Sequence, residues 1–357
     1  MNGQENQAGL RRSFRPALMI AGTAALCTLP GGTSHSDEGR NPAPASLVVE
    51  PAGGALAGER LRVLVSSDIG GSDADDIQSL IHFLMYADRF DVEGLVSSPP
   101  HLGRKEDILK VIDAYAQDYP RLRARSGTFP PPDTLRAVTR QGAIDSAPKE
   151  GWSQPTEGSR WIIERATAEE RRPLHVLVWG SITDVAQAVH DDPGIKKRIR
   201  VHFIASWNRL QDPHAFAYLD QNHPDLWMIQ DESSFRGWFT GGKQDGDLGN
   251  RQFVREHIEG KGALGRMFGQ LKAAHAEVGE IKMGDTPTVA RLLRGNPADP
   301  GQPSWGGRFV PHPERPQWWV DDRDPKLQEG RYPGARTVNS WREEYLRDWQ
   351  QRMRWLE

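Results

Sequence analysis

Cysteine is almost absent from this chain: Cys27 is the single one among 357 residues. That excludes an internal disulfide and any metal site built from several thiolates. Charge of either sign is not in excess. With 45 Lys and Arg against 48 Asp and Glu the formal net charge is -3, and the pI is near 6.4. Nothing in that balance recruits nucleic acid, so no nucleic-acid partner is expected. Downstream of the N-terminal region no stretch reaches the roughly 20 apolar residues that cross a bilayer, and no stable membrane anchor is expected. Tryptophan, by contrast, is plentiful. Its twelve copies must fill a core or form walls for a flat ligand such as a base or a sugar.

A length of 357 residues with 37% hydrophobic content can bury one large core or two modest ones. Arg11-Arg12-Ser13-Phe14-Arg15 precedes the short apolar run Ala17–Leu26, which reads as an export signal over residues 1–30, against a plain disordered basic tail. The paired arginines have the form of a twin-arginine signal, so a periplasmic or secreted location is expected. Leu26 stands before Cys27, where a lipoprotein signal prefers a small residue, and no lipid anchor is expected. Residues 31–59, rich in Gly, Pro, Ser and Ala, read as a flexible linker.

The rest is organised around Val63-Leu64-Val65-Ser66-Ser67-Asp68-Ile69-Gly70-Gly71-Ser72-Asp73-Ala74-Asp75-Asp76. An apolar run ends in a small-residue turn, and four aspartates fall within nine positions. Ile77, Leu80, Ile81, Leu84 and Met85 then follow at helical spacing. The acids therefore sit where a buried strand ends and a helix begins. Crowded carboxylates repel one another and need a reason to be adjacent. Helix capping and the helix dipole account for one or two of Asp73, Asp75 and Asp76. They do not account for Asp68, which a hard cation with oxygen ligands would explain together with the others.

Further along, strand and helix patterns alternate. Asp91–Ser98, Leu174–Trp179 and Ile199–Ala205 read as strands; the face Ile108, Val111, Ile112 and Tyr115, the stretch Trp161–Glu170 and the stretch Val185–His190 read as helices. This alternation predicts an α/β fold, a mostly parallel central sheet with helices on both faces and the active site at the strand C-terminal ends. Residues 126–156, with several Pro and Gly, read as a long surface excursion of the kind that makes a lid. Asp245-Gly246-Asp247 lacks the later acids of an EF-hand and reads as a loop. Gly284-Asp285-Thr286-Pro287 opens a helix over Val289, Leu292 and Leu293. Residues 60–310 are expected to form the main domain, with 311–357, a Pro- and Trp-rich extension and a charged helix over Trp341–Trp355, packed on it.

The strand ending in Asp68 with Asp75-Asp76 opening a helix resembles the N-terminal aspartate motif of the calcium-dependent nucleoside hydrolases. Trp179-Gly180-Ser181-Ile182-Thr183-Asp184-Val185-Ala186 is similar to their second motif. Val178-Trp179-Gly180-Ser181, Asn222-His223-Pro224-Asp225-Leu226-Trp227, Gly284-Asp285-Thr286-Pro287 and Trp305-Gly306-Gly307 resemble a bacterial exported subgroup described as cellulose-binding proteins with a nucleoside-hydrolase-like domain. The resemblance implies Ca2+ as cofactor and cleavage of N-glycosyl, ribosyl-type bonds. Asp68 would be the base and a calcium ligand, Asp76 a bidentate ligand, and the Trp179 carbonyl and Asp285 further ligands. Asp75 would hold the ribose hydroxyls, with Asn208 and His101 nearby on the substrate side. A small nucleoside or glycoside, or a polysaccharide, would be the partner, and a homo-oligomer is compatible with the family.

The sequence departs from that pattern in specific places. Asp75 and Asp76 follow Asp68 at seven and eight positions, a turn three residues longer than the family's, which makes Asp73 a rival to Asp75. Ile69 replaces a Pro. Gly284 stands where some relatives carry the histidine that protonates the leaving base, so that acid is unassigned. Asn222, next to His-Pro, reads as a helix cap rather than a ribose ligand. A carbohydrate-binding protein that keeps the fold without the reaction is the competing expectation, motivated by Trp305, Trp318 and Trp319. A phosphatase with an aspartate nucleophile is excluded, because Gly70 occupies the position of its second aspartate.

Overall fold

The computed structural model describes residues 59–70, 73–100 and 103–357, all within one compact unit that spans Glu50–Glu357. The export signal, all but the last residue of the linker, and His101 lie outside the described residues. The chain runs β1 (Leu61–Ser67), α1 (Asp75–Met85), β2 (Phe90–Ser97), α2 (Lys105–Arg125), α3 (Pro132–Ala137) and β3 (Thr139–Gln141). It continues through α4 (Glu157–Thr167), β4 (Leu174–Val178), α5 (Thr183–Asp191), β5 (Ile199–Ile204), α6 (Ser206–Gln211), α7 (Pro213–Asn222) and β6 (Met228–Asp231). After α8 (Asn250–Phe253), α9 (Gly262–Gln270) and α10 (Thr286–Leu293) come β7 (Phe309–Pro311), β8 (Trp318–Asp321), α11 (Arg336–Asn339) and α12 (Arg342–Met353).

The strands form one eight-stranded sheet in the order β3-β2-β1-β4-β5-β6-β8-β7, parallel throughout except for β7 against β8. The order reverses between β1 and β4, so the chain winds away from this seam in both directions. In such sheets the crevice beyond the carboxyl ends of the two strands at the reversal is the binding place. Side chains alternate faces along a strand, and β1 shows it: Val63 and Val65 enter one core, Leu64 the other. The first core takes Leu80, Ile81 and Leu84 of α1 with Ile112 and Tyr115 of α2; the second takes Val185 and Val189 of α5 with Leu219 of α7. Each such side chain contributes about 1.5–3 kcal/mol by leaving water. That clamps both faces of β1 and fixes where its last residue points.

Two expectations are corrected. Residues 126–156 are not a lid. They contain α3 and β3, and the amides of Ala143, Ala147 and Ser153 are held by Asp184, Asp212 and Gln187. In the Pro- and Trp-rich region, β8 pairs with β6 and β7 with β8, which completes the sheet. Trp305 and Trp318 are buried and Trp319 is partly buried against Trp227, Ile229 and Phe309, so this trio offers no open aromatic wall.

Candidate metal centre

Asp68 is the first residue after β1, at the seam. Gly180, after β4, lies so near that a Cβ there would stand 2.7 Å from the Asp68 Cβ and 2.6 Å from Ser98 Oγ. Only glycine permits this approach. The turn after Asp68 also requires one, because Gly70 has φ 94 and a Cβ would strike the Asp107 carboxylate.

Asp75 and Asp76 open α1 but do not cap it. The cap position is Ala74, with no side-chain hydrogen bond to the helix. Asp76 instead accepts from the Ser67 hydroxyl. Asp285, at the start of α10, likewise makes no cap bond, and its Oδ2 accepts from Ser79 Oγ at 3.4 Å. Ligand atoms of Asp75, Asp76 and Asp285 all lie within 4.8 Å of one another. Asp68 adjoins this trio through a hydrogen bond with Asp76. The capping account therefore fails for the side chains that matter, although the helix dipole still favours acids in the first turn.

The electrostatics agree. Burial, then the neighbouring Asp75, pushes Asp68 up to about 7. Burial followed by mutual repulsion holds Asp75, Asp76 and Asp285 well above the ordinary carboxylate range, with Lys282 opposing at Asp75. Asp73 behaves differently. Burial would raise it, but hydrogen bonds from Lys282 and the Ala274 amide outweigh that and hold it below the ordinary value. Both of its oxygens are thus engaged, one by Ala274 N–H at 2.8 Å and the other by Lys282. Asp75 is thus a member of the trio, whereas Asp73 ties down the long turn.

Trp179 and Asn208 lie together. Asn208 Nδ2 donates to the Trp179 carbonyl at 2.6 Å, while the Trp179 indole N–H donates to Thr288 Oγ1, which donates to the Asp285 carbonyl. One chain of bonds thus links the ends of β4 and β5 to α10. Asn222 ends α7 and donates to the Tyr218 carbonyl, away from these residues. Sequence reasoning missed Lys282, whose ammonium lies 3.5 Å from Asp75, and the wall formed by Phe235 and Arg236. Phe235 faces Gly284, and the Arg236 guanidinium stacks 4.3 Å from the Phe235 ring and donates to Ser206 Oγ at 2.9 Å. Phe235 and Arg236 lie in a segment without a motif, and Lys282, although two residues before Gly284-Asp285-Thr286-Pro287, has no pattern that ties it to Asp73 and Asp75, so only the fold could place them.

Donor chemistry decides whether a metal suits the trio. Two buried carboxylates and a partly buried third, with only hydroxyl donors and one lysine nearby, form an oxygen-only, under-compensated set, which fits a hard divalent cation such as calcium. A second acidic group, Asp247, Glu256 and His257, fits less well because Arg347 already pairs with both oxygens of Asp247.

Comparison with known proteins agrees with this architecture. The crystal structure of a nucleoside hydrolase-related protein from Saccharophagus degradans, described as associated with carbohydrate metabolism, is similar with a TM-score of 0.64 and 22% identity, over 84% of this chain and 72% of that one. An inosine-uridine preferring nucleoside hydrolase from Bacillus anthracis aligns at 15% identity with a TM-score of 0.45, over 82% and 99%. Comparison with curated proteins gives no match. Residues 62–309 match the family model for the nucleoside hydrolase-like domain of cellulose-binding Sde182, and the chain belongs to that family.

Proposed function

We propose that the protein is an exported, calcium-dependent hydrolase of N-glycosyl, ribosyl-type bonds, acting on a small nucleoside or glycoside. The observation that carries this reading is the convergence of Asp75, Asp76 and Asp285 beside Asp68 at the seam of the sheet. Asp75, Asp76 and Asp285, with the Trp179 carbonyl, would hold the cation. Bound there, calcium supplies positive charge that offsets the carboxylates and polarises oxygen ligands.

The remaining steps belong to the chain. Asp68, held near neutrality at about 7 by burial, is suited to take a proton from water as it attacks the anomeric carbon. The second oxygen of Asp75 and the side-chain oxygen of Asn208, whose N–H groups are taken by the Trp179 and Ile204 carbonyls, would accept from sugar hydroxyls and orient the ring. The oxocarbenium-like transition state gains from the surrounding negative charge. Phe235 and the buried indole of Trp179 keep bulk water away.

The test is turnover of an N-riboside panel by the purified chain, with and without chelator. Chelation and Asp68→Asn should each abolish turnover; activity that ignores both sinks the proposal. The alternative, a carbohydrate-binding protein of the same fold that has lost the reaction, is favoured by the family's cellulose-binding description. It predicts polysaccharide retention with no turnover of any member of the panel.

A further inference from the structure

All twelve tryptophans lie among the described residues, and Trp207 alone is exposed, at 64%. Leu210, one helical turn on, is 61% exposed. Residues three apart on a helix are neighbours, so the two side chains make one apolar strip on α6. Large exposed apolar groups side by side mark contact surfaces.

The helix that carries the strip is fastened on its other side to the candidate centre. Ser206 accepts from Arg236, Asn208 donates to the carbonyls of Trp179 and Ile204, and Arg209 pairs with Glu232 at 2.7 Å. Ser206 itself has φ 30, a left-handed conformation that costs a non-glycine residue energy and persists only where its surroundings fix it. Positions 206, 208 and 209 are thus committed inward while 207 and 210 are held out. An indole presented on so rigid a support loses little freedom when a ligand covers it.

We infer that Trp207 and Leu210 form an outer subsite of the acidic pocket, which takes a pyranose ring of a β-linked glucan while the adjoining sugar enters toward Asp75. This rests on reading the pocket as a sugar site. A β-linked glucose ring offers a flat face of C–H groups, and such a face suits the electron-rich face of an indole. The cellulose-binding description of the family points to the same ligand class. The glycan-binding surface and the hydrolase pocket are then one continuous site, with Trp207 at its mouth.

The experiment is calorimetric titration of the full chain with cellohexaose, for the wild type, Trp207→Ala and Trp207→Phe, each checked for an unchanged melting profile. The wild type should bind, the alanine variant at least tenfold more weakly, and the phenylalanine variant in between. Undetectable binding by the wild type, or equal affinity in Trp207→Ala, overturns the subsite whatever the N-riboside assay shows. Trp207-dependent self-association in sedimentation would overturn it too, since a second copy would then cover the strip. Failure of the chelator test with Trp207-dependent binding intact would remove the hydrolase reading and leave this subsite standing.

Discussion

The Lys282 ammonium hydrogen-bonds Asp73 while standing 3.5 Å from the Asp75 carboxylate. One cation thus anchors the turn and trims the charge of the pocket. The two aspartates should therefore respond differently to substitution. Asp73→Ala removes a buried ion-pair partner and the acceptor for Ala274 N–H, and should cost about 1–3 kcal/mol of stability. N-riboside turnover should stay within tenfold. Asp75→Ala should abolish turnover with little loss of stability. Denaturant melts and initial rates on both variants check this, and the reverse pattern would restore Asp73 as the functional acid.

Calcium should stabilise the protein through the trio. At about 100 times its dissociation constant, a ligand that binds the folded state alone adds about 2.7 kcal/mol. For a chain of this size that is a rise of about 5 °C in melting temperature. Differential scanning fluorimetry should show the rise in the wild type and its absence in Asp76→Asn and Asp285→Asn.

Gly284 can accept a side chain. Its φ is not positive, and a Cβ there would lie 3.4 Å from the Phe235 ring and 3.6 Å from Asp75 Oδ2, ordinary contact distances. Gly284→His would restore the residue that some relatives use on the leaving base. General-acid help is worth about 10²–10⁴-fold. Purine nucleoside turnover by this variant should rise at least tenfold and fall again as the imidazole loses its proton. An unchanged rate would mean that leaving-group protonation does not limit the proposed reaction.

His82 sits in a cage of Tyr86, Trp238 and Trp349, with ring centroids 4.8, 5.6 and 5.2 Å away. Burial, then Arg352, pushes it down from 6.5 to about 3. The folded state keeps it neutral, whereas the unfolded chain takes up a proton below 6.5. Stability from this group is complete above pH 6.5 and is lost as pH falls toward 3, at about 1.4 kcal/mol per pH unit. Between pH 6.5 and 5 that amounts to about 2 kcal/mol, which His82→Phe should recover. Denaturant melts at the two pH values in saturating calcium isolate the difference, and equal slopes for both proteins refute the assignment.

The centre of the fold was legible because β1, β4 and β5 are largely apolar runs that stop just before Asp68, Trp179 and Ala205. Such strands announce themselves by composition. β3 spans three residues and β6 four, too short to carry a period, and β8 lies in a Pro- and Trp-rich stretch without a strand pattern. The site followed the same division. The aspartates were visible as a motif, but the choice between Asp73 and Asp75 depended on Lys282, some two hundred residues away in the chain. The signal of Trp207 was hidden among twelve tryptophans, because a count cannot tell an indole in the core from one on the rim.

The place of β8 bears on where this molecule ends as a folding unit. The family match stops at residue 309, yet Trp318, Trp319 and Val320 pair with Met228, Ile229 and Gln230, and Trp349 of α12 enters the core with α1. Recognisable ancestry and cooperative folding therefore have different borders. A chain cut at the first border would leave β6 as a bare apolar edge, the kind of template on which strands of other molecules add. Such a fragment should precipitate rather than bind anything. The residues after 309 belong to the folding unit as fully as those before them.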